Sequence, residues 1–311
     1  MTTIRSAVEQ YLQMRRSLGF KLEAHGFMLR DFARFLEQHR SSHVTTALAM
    51  QWARSPLAAQ PAQWSRRLGV VRRFAAHRSA FDPRTEIPPV GLLPYRRIRR
   101  TPYVYSDVEI ERLLEAARRL PSPSGLRART YTTFIGLLVV TGLRVSEAIA
   151  LDDPDDIDAR AGVLTIRRTK FGKSRCVPVH ASTMRALQRL RESRDRVHTS
   201  RSTPALFVGE DGRRLNVFTL RWTFVRLSRQ TGLRSPADRR GPRLHDFRHR
   251  LAISTLLHWY KRGVDVEQRL PRLSTFLGHG HVTDTYWYLN SVPELMSLVA
   301  RRLDASVGGR S

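Results

Sequence analysis

The sequence predicts a mainly α chain with one small β-sheet or hairpin, built as a helical first domain and an α+β second domain. Three observations lead there. Apolar side chains recur at helical intervals through most of the 311 residues. One stretch, VLTIRRTKFGKSRCVPV (residues 163 to 179), instead alternates in β-branched runs about a Phe-Gly turn, the pattern of a hairpin. Between residues 82 and 105 the periodicity lapses, and five prolines and a run of arginines take its place.

Residues 3 to 80 predict helices of modest length, with Val8, Tyr11 and Leu12 on one apolar face, then Leu29, Phe32 and Leu36, then Trp64, Leu68, Val71 and Ala75. Arg66 and Arg73 fall opposite Trp64 and Leu68, where a solvated face and a phosphate-contacting face are equally good readings. The boundaries expected are a helical domain over 1–87, a linker over 88–105 and a second domain over 106–311. That domain opens on Ser106-Asp107-Val108-Glu109, a capping box ahead of an amphipathic helix. The apolar run from Thr132 to Val140 suits a buried helix. After the hairpin, helices dominate from Ala181 onward, with a short strand candidate at Ala205 to Val208 and apolar residues at helical spacing in Leu295, Leu298, Val299 and Leu303.

The charge balance names a class of partner. Lys and Arg total 54 against 27 Asp and Glu, a formal charge of +27, so a polyanion is the natural partner. Only four of the 54 are lysine (Lys21, Lys170, Lys173 and Lys261), and arginine is the side chain that forks onto phosphate oxygens. Cys176 is the only cysteine, which excludes a disulfide framework or a thiolate zinc site within one chain and fits a reducing compartment. No signal core opens the sequence, and TFIGLLVVTGL is too short to span a bilayer. A soluble, cytoplasmic, nucleoid-associated protein without a membrane partner is expected.

Four stretches place cationic or polar groups where a core pattern would not ask for them. In TGLRVSEAIAL, Gly142 turns the chain between two apolar helices, and Arg144 sits at the second helix's entrance beside N–H groups that favour an anion. In the hairpin, Lys170 and Lys173 stand among arginines, and lysine is the cation that can give up a proton, although a polar hairpin tip reads the same way. In RLHDFRHRLAISTLL, His245 and Arg248 share a helix side, a quarter turn from Leu244, Phe247 and Leu251. His245 and His249 have metal-pair spacing, but no suitable third ligand lies near and Arg248 would repel a cation. In LGHGHVTDTYWYLN, Leu277-Gly278-His279 reads as a helix end at glycine, with a helical turn after it carrying Tyr286 and Tyr288. Packing explains a Tyr-Trp-Tyr run as readily as chemistry does. The acid-rich LDDPDDID (residues 151 to 158) could hold Mg²⁺, but its Pro-Asp spacing is better read as a turn.

Taken together and in order, Arg144, Lys170, His245, Arg248, His279 and Tyr288 resemble the motif set of the tyrosine recombinases, the phage-integrase family. The resemblance covers most of residues 106 to 305. The first domain and the proline-arginine stretch are similar to that family's core-binding domain and connector, which makes Arg66, Arg73, Arg96, Arg97, Arg99, Arg100 and Lys173 candidates for DNA contact. Family spacing, nine residues from the histidine of Leu-Gly-His, selects Tyr288 over Tyr286. Lys170, eight residues before Pro178, is selected over Lys173, although the hairpin lacks the family's usual glycine before the lysine. His281, Tyr286 and Trp287 receive no role.

The resemblance implies a site-specific recombinase that cuts and rejoins duplex DNA through a 3′-phosphotyrosine, with no metal, cofactor or ATP. Arg144 and Arg248 would clamp the phosphate, His245 would accept the tyrosine proton, His279 would donate a hydrogen bond to the phosphate, and Lys170 would protonate the departing 5′-oxygen. It also implies a homotetramer on DNA, a C-terminal helix docking on the next protomer, and room for accessory proteins. The alternatives are a type IB topoisomerase-like enzyme, a non-catalytic DNA-binding regulator and, on the aspartate cluster, a metal-dependent nuclease.

Overall fold

The structure, a computed structural model, describes residues 3–56, 58–93, 101–167, 174–238, 240–288 and 296. The chain divides into two units, residues 1–100 and 101–311. In the first, α1 (Ile4–Ser17), α2 (Glu23–Gln38), α3 (Thr46–Arg54) and α4 (Pro61–Arg78) surround one apolar core. Thr3 and Thr45 accept backbone N–H groups at the starts of α1 and α3, and proline opens α4, where its missing N–H costs nothing. Leu12, Leu29, Phe32, Leu36, Val71 and Phe74 are fully buried, each contributing about 1.5–3 kcal/mol through the apolar surface removed from water. Trp52 donates to Asp31 at 3.0 Å beneath the Arg67 guanidinium, 3.7 Å from the ring. Arg66 and Arg73 lie exposed on α4.

The second unit holds α5 (Asp107–Arg118), α6 (Leu126–Thr141) and α7 (Val145–Ile149), then strands β1 (Ile157–Asp158), β2 (Val163–Ile166) and β3 (Arg175–Pro178). It continues with α8 (Ala181–Val197), α9 (Val217–Gln230), α10 (Asp246–Lys261), α11 (Val266–Leu277) and α12 (Thr283–Tyr286). Ser106 and Glu109 form the expected capping box, and α6 is the expected buried helix, with Phe134, Ile135, Leu137 and Leu138 in the core. The hairpin pairs Leu164 with Val177 and Ile166 with Arg175. Leu164, Ile166 and Val177 face inward by the two-residue alternation of a strand. A third antiparallel strand, β1, pairs Ile157 with Leu164 at the hairpin's other edge. Residues 205 to 208 form no strand, correcting the sequence expectation. Ala205 and Val208 instead make isolated bridges to Asp152 and Arg214, and Ala205 to Val208 are buried within the loop that joins α8 to α9.

Both ends of the stretch expected as a linker are packed. Leu93 joins the first unit's core, and Arg72 donates to the carbonyls of Pro88 and Pro89 at 2.6 and 2.7 Å. Tyr105 stacks on Phe247 at 4.3 Å and donates to the Arg243 carbonyl at 3.1 Å, fixing the start of α10. Arg96, Arg97, Arg99 and Arg100 lie outside the described residues, as do Lys170, Lys173, Leu295, Leu298, Val299 and Leu303.

The aspartate cluster is an ion-pair knot. Asp153 is buried and meets Arg191, Arg194 at 2.6 Å and Arg201 at 3.6 Å. Asp152 holds Arg214 and Asp156 holds Arg167, both at 2.5 Å. Guanidiniums therefore occupy these carboxylates, and the turn is pinned to α8 and to β2.

Candidate active site

Two arginines converge on one glycine turn. Gly142 ends α6 in the left-handed region (φ 60°), and a β-carbon there would lie 3.0 Å from Leu251 and 3.1 Å from Leu277. Only glycine lets α10 and α11 pack that closely. Arg144, two residues on, is the N-cap of α7. Its guanidinium donates to Glu147 at 2.6 Å and to the Gly278 carbonyl at 2.8 Å. Arg248 reaches the same turn from α10 and donates through Nη1 to the Gly142 carbonyl at 2.9 Å. It is only 2% exposed, and its Nη2 is buried with no hydrogen-bond partner among the described residues. Burial and the charge of Arg144 lower its pKa to about 10, so it remains a cation at neutral pH.

Glu147 ties this arginine pair to the sheet. Burial by itself would raise its pKa, but hydrogen bonds from Arg175 and from the Arg144 backbone and side chain, with the Arg175 charge, hold it at about 2. Arg175, at the start of β3, donates to both Glu147 oxygens at 3.2 and 2.8 Å and to the Phe276 carbonyl at 3.0 Å. Gly278 (φ 66°) closes α11 directly over that side chain, and a β-carbon would fall 2.5 Å from the Arg175 guanidinium. One buried carboxylate thus joins α7, the hairpin and the Leu-Gly-His turn.

Tyr288 lies at the centre of this arrangement, 2% exposed and packed in an apolar cluster with Ile253, Leu256, Leu270 and Leu277. Its hydroxyl is 3.0 Å from Nδ1 of His249. Trp287 walls His249 on another side, with ring centroids 5.5 Å apart. Tyr286 is 44% exposed, so only one of the two tyrosines joins the cluster. Burial pushes the Tyr288 phenol up, against the opposing pull of Arg248 and Arg144. At neutral pH it is therefore a phenol, and a proton acceptor is needed before it can attack. His279 stacks over the Tyr288 ring at 6.2 Å, and its Nδ1 lies 2.6 Å from the buried Thr285 hydroxyl. When that hydroxyl donates to Nδ1, the ring's own proton sits on Nε2 and remains available as a donor. His245 stands at the N-cap of α10 and is exposed. Its ring meets that of His249 edge-on at 4.9 Å.

The histidines carry a testable electrostatic signature. From the usual 6.5, the pKa falls to about 4 for His249 and to about 3 for His279. Desolvation is the first cause in both; the charge of His245 follows for His249 and that of Arg248 for His279. Folded values below the unfolded one mean that the unfolded chain takes up protons first as pH falls. Stability is thus complete above pH 6.5 and declines between 6.5 and about 3. The urea midpoint of the second unit, followed by tryptophan fluorescence, is expected to hold from pH 8 to 7 and fall steadily below 6.5. A level midpoint down to pH 4 would contradict the neutral-histidine arrangement.

Of the residues singled out by sequence, Arg144, His245, Arg248, His279 and Tyr288 meet at this cluster. Sequence reasoning missed Glu147, Arg175, Thr285 and the contact of His249 with the phenol. Glu147 was legible as the carboxylate three residues into a helix start, whereas Arg175 had no mark to separate it from its many neighbours of the same type. A second overlooked feature is the outer face of α9, where Phe218 and Trp222 are 74% and 58% exposed and Arg226 lies 4.8 Å over the Trp222 ring. Arg221 is exposed on the same face. Among the described residues, no group of three or more His, Cys, Asp or Glu is placed to hold a metal ion, and no helix is long and apolar enough to cross a membrane.

A buried tyrosine ringed by two turn-anchored arginines and neutral histidines, on a helical unit with one small antiparallel sheet, defines a class. The chain belongs to the phage integrase family, whose profile its residues 104–294 match. It is 51% identical over 308 residues, 98% of each chain, to the Sinorhizobium fredii protein y4rB, which carries the name integrase/recombinase. It is also 29% identical to tyrosine recombinase XerD of Bradyrhizobium diazoefficiens, over 91% of this chain and 89% of that one. Its fold is shared with the Tn1549 transposon integrase solved in complex with transposon right-end DNA (TM-score 0.66, 17% identity, 96% of this chain and 99% of that one).

Proposed function

We propose that the chain is a site-specific DNA recombinase that cuts and rejoins duplex DNA through a covalent 3′-phosphotyrosine intermediate, using neither metal nor ATP. The observation that carries this reading is the burial of the Tyr288 hydroxyl beside Arg248, whose Nη2 has no hydrogen-bond partner among the described residues. A buried cationic nitrogen left unsatisfied is costly, and a phosphate oxygen seated there would satisfy it.

The chemistry follows from the charges. In-line attack on a phosphodiester builds negative charge on the non-bridging oxygens, and Arg144 and Arg248 hold that charge without the reorganisation that water would need. Tyr288 is the nucleophile and His279, through Nε2–H, a donor to the phosphate. Lys170 supplies a proton to the departing 5′-oxygen, with Lys173 the second choice. The base comes from the imidazoles at the start of α10: His245 on motif spacing, with His249 beside it. The phosphotyrosine keeps the energy of the broken bond, so a 5′-hydroxyl from another strand reverses the step. Exchange between two duplexes severs four strands, and one tyrosine per chain then calls for four chains on the DNA. Contacts to the duplex are assigned to Arg66 and Arg73, to Arg96, Arg97, Arg99 and Arg100, and to the arginine-aromatic face of α9. A cytoplasmic, nucleoid-associated location and the use of accessory proteins belong to the same proposal.

A type IB topoisomerase shares the tyrosine chemistry but has no use for a second duplex, and family membership favours strand exchange. A DNA-binding regulator would have no need of a buried phenol among cations. The aspartates a metal-dependent nuclease would use are engaged by arginines. The deciding experiment incubates the purified chain with nicked fragments of its host genome in EDTA, traps covalent adducts in detergent, sequences the DNA and maps the modified peptide. Adducts at a recurring site, on the peptide holding Tyr288, are expected. An absolute need for Mg²⁺, or a modified peptide elsewhere, would overturn the reading.

A further inference from the structure

The geometry points to His249, not His245, as the group that takes the phenolic proton of Tyr288. This inference rests on the reading of Tyr288 as nucleophile and adds to it the identity of the base. His249 Nδ1 lies 3.0 Å from the reacting oxygen, within the range needed for proton transfer. The ring of His245 meets that of His249 edge-on, with centroids 4.9 Å apart. The His249 ring is held from three sides: Tyr288 at 5.5 Å, Trp287 at 5.5 Å and His245 at 4.9 Å between centroids. A clamped ring keeps its lone pair aimed while the phenol swings little.

The far side of the ring suits the task. For Nδ1 to accept, the resting proton must be on Nε2, and Nε2 lies 4.0 Å from Oδ1 of the buried Asp246. That is too long for a hydrogen bond but close enough for the carboxylate charge to support an imidazolium. Asp246 is itself fixed by Arg243, whose backbone and Nη2 donate to it at 2.8 and 2.9 Å. The order Tyr288, His249, Asp246 thus runs from nucleophile to base to an oriented carboxylate.

The step balances. As Tyr288 Oη bonds to phosphorus, its proton passes to the lone pair of His249 Nδ1. The bond from phosphorus to the 5′-oxygen breaks, and that oxygen takes a proton from Lys170. On rejoining, the incoming 5′-hydroxyl returns its proton to the lysine and the leaving phenolate recovers its own from Nδ1. No redox partner is required.

The test uses the full-length chain and a nicked duplex bearing the site recovered by adduct sequencing, and follows single-turnover adduct formation. His249→Asn keeps an acceptor oxygen near the position of Nδ1 but cannot carry the proton away, and His249→Ala leaves space for added imidazole. Both variants are expected to slow the adduct about 10²-fold or more with DNA affinity unchanged, and imidazole should restore part of the His249→Ala rate. Sulfur in place of the bridging 5′-oxygen removes the need for a leaving-group proton. It should rescue Lys170→Ala but not His249→Asn. Cleavage by His249→Asn within about threefold of wild type, while His245→Asn is slow, would overturn the assignment and leave the recombinase reading standing. Rescue of His249→Asn by sulfur would equally overturn it, since the ring would then serve the leaving group. If His249→Ala does not fold, His249→Asn decides, with its DNA affinity as the check. Absence of any adduct from the wild-type chain would overturn both readings together.

Discussion

Replacing Tyr288 with phenylalanine is expected to abolish the covalent protein–DNA adduct, reducing it to background on a nicked duplex, while DNA affinity stays within about twofold. The substitution removes one oxygen from a side chain already seated among Ile253, Leu256, Leu270 and Leu277, so the packing survives. What goes is the nucleophile and the partner of His249 Nδ1, a loss of about 1 kcal/mol in stability. The same change at Tyr286, which is exposed, should leave adduct formation near wild type. An adduct that persists in Tyr288→Phe and disappears in Tyr286→Phe would shift the nucleophile by two residues and discard the present assignment.

Arg248→Gln is expected to lower the single-turnover cleavage rate about 10²–10³-fold, the cost of removing one donor from a site of developing negative charge. The effect should lie in the rate and not in the binding of DNA, because a buried guanidinium contributes little to the initial, screened encounter. Arg248→Lys should fall between the two. It keeps the charge but cannot serve both the Gly142 carbonyl, now accepting from Nη1 at 2.9 Å, and a phosphate oxygen in the geometry of a guanidinium fork. Rates for Arg248→Gln within a few-fold of wild type would mean that the phosphate charge is held elsewhere.

Much of this molecule could be read from its sequence. The helices of both units, the capping box at Ser106 and the hairpin follow from local preferences that act over a few residues, and those are written directly in the chain. The motif residues were legible for a related reason. Glycines at 142 and 278, with an arginine near the first and a histidine beside the second, interrupt the apolar periodicity at places where a core gains nothing from them. The short strand expected at Ala205 to Val208 did not form, since β-branching and apolarity say only that a segment is buried. Whether a buried segment pairs depends on which backbone lies beside it, and here Ala205 meets Asp152 of the aspartate turn while Val208 meets Arg214, each in a single bridge.

The site itself was half legible. Arg175 is one of fifty arginines in sequence terms, and nothing local marks it as the one that grips Glu147 and lies under Gly278. His249 was visible only as half of a metal spacing. Its contact with Tyr288, 39 residues away, exists because α10 packs on α11 and α11 on α12, which brings the residues just after α12 back to the first turn of α10.

The sequence alone determined the helices and the hairpin, the sign of the partner's charge and the residue types able to do phosphoryl chemistry, because these depend on each side chain and its near neighbours. Tertiary structure alone decided which tyrosine is buried, which histidine touches it, and which carboxylate binds the arginines together. Those outcomes rest on contacts between residues distant in the chain. Their energies come from desolvation and Coulomb forces that arise only once the helices have closed around them.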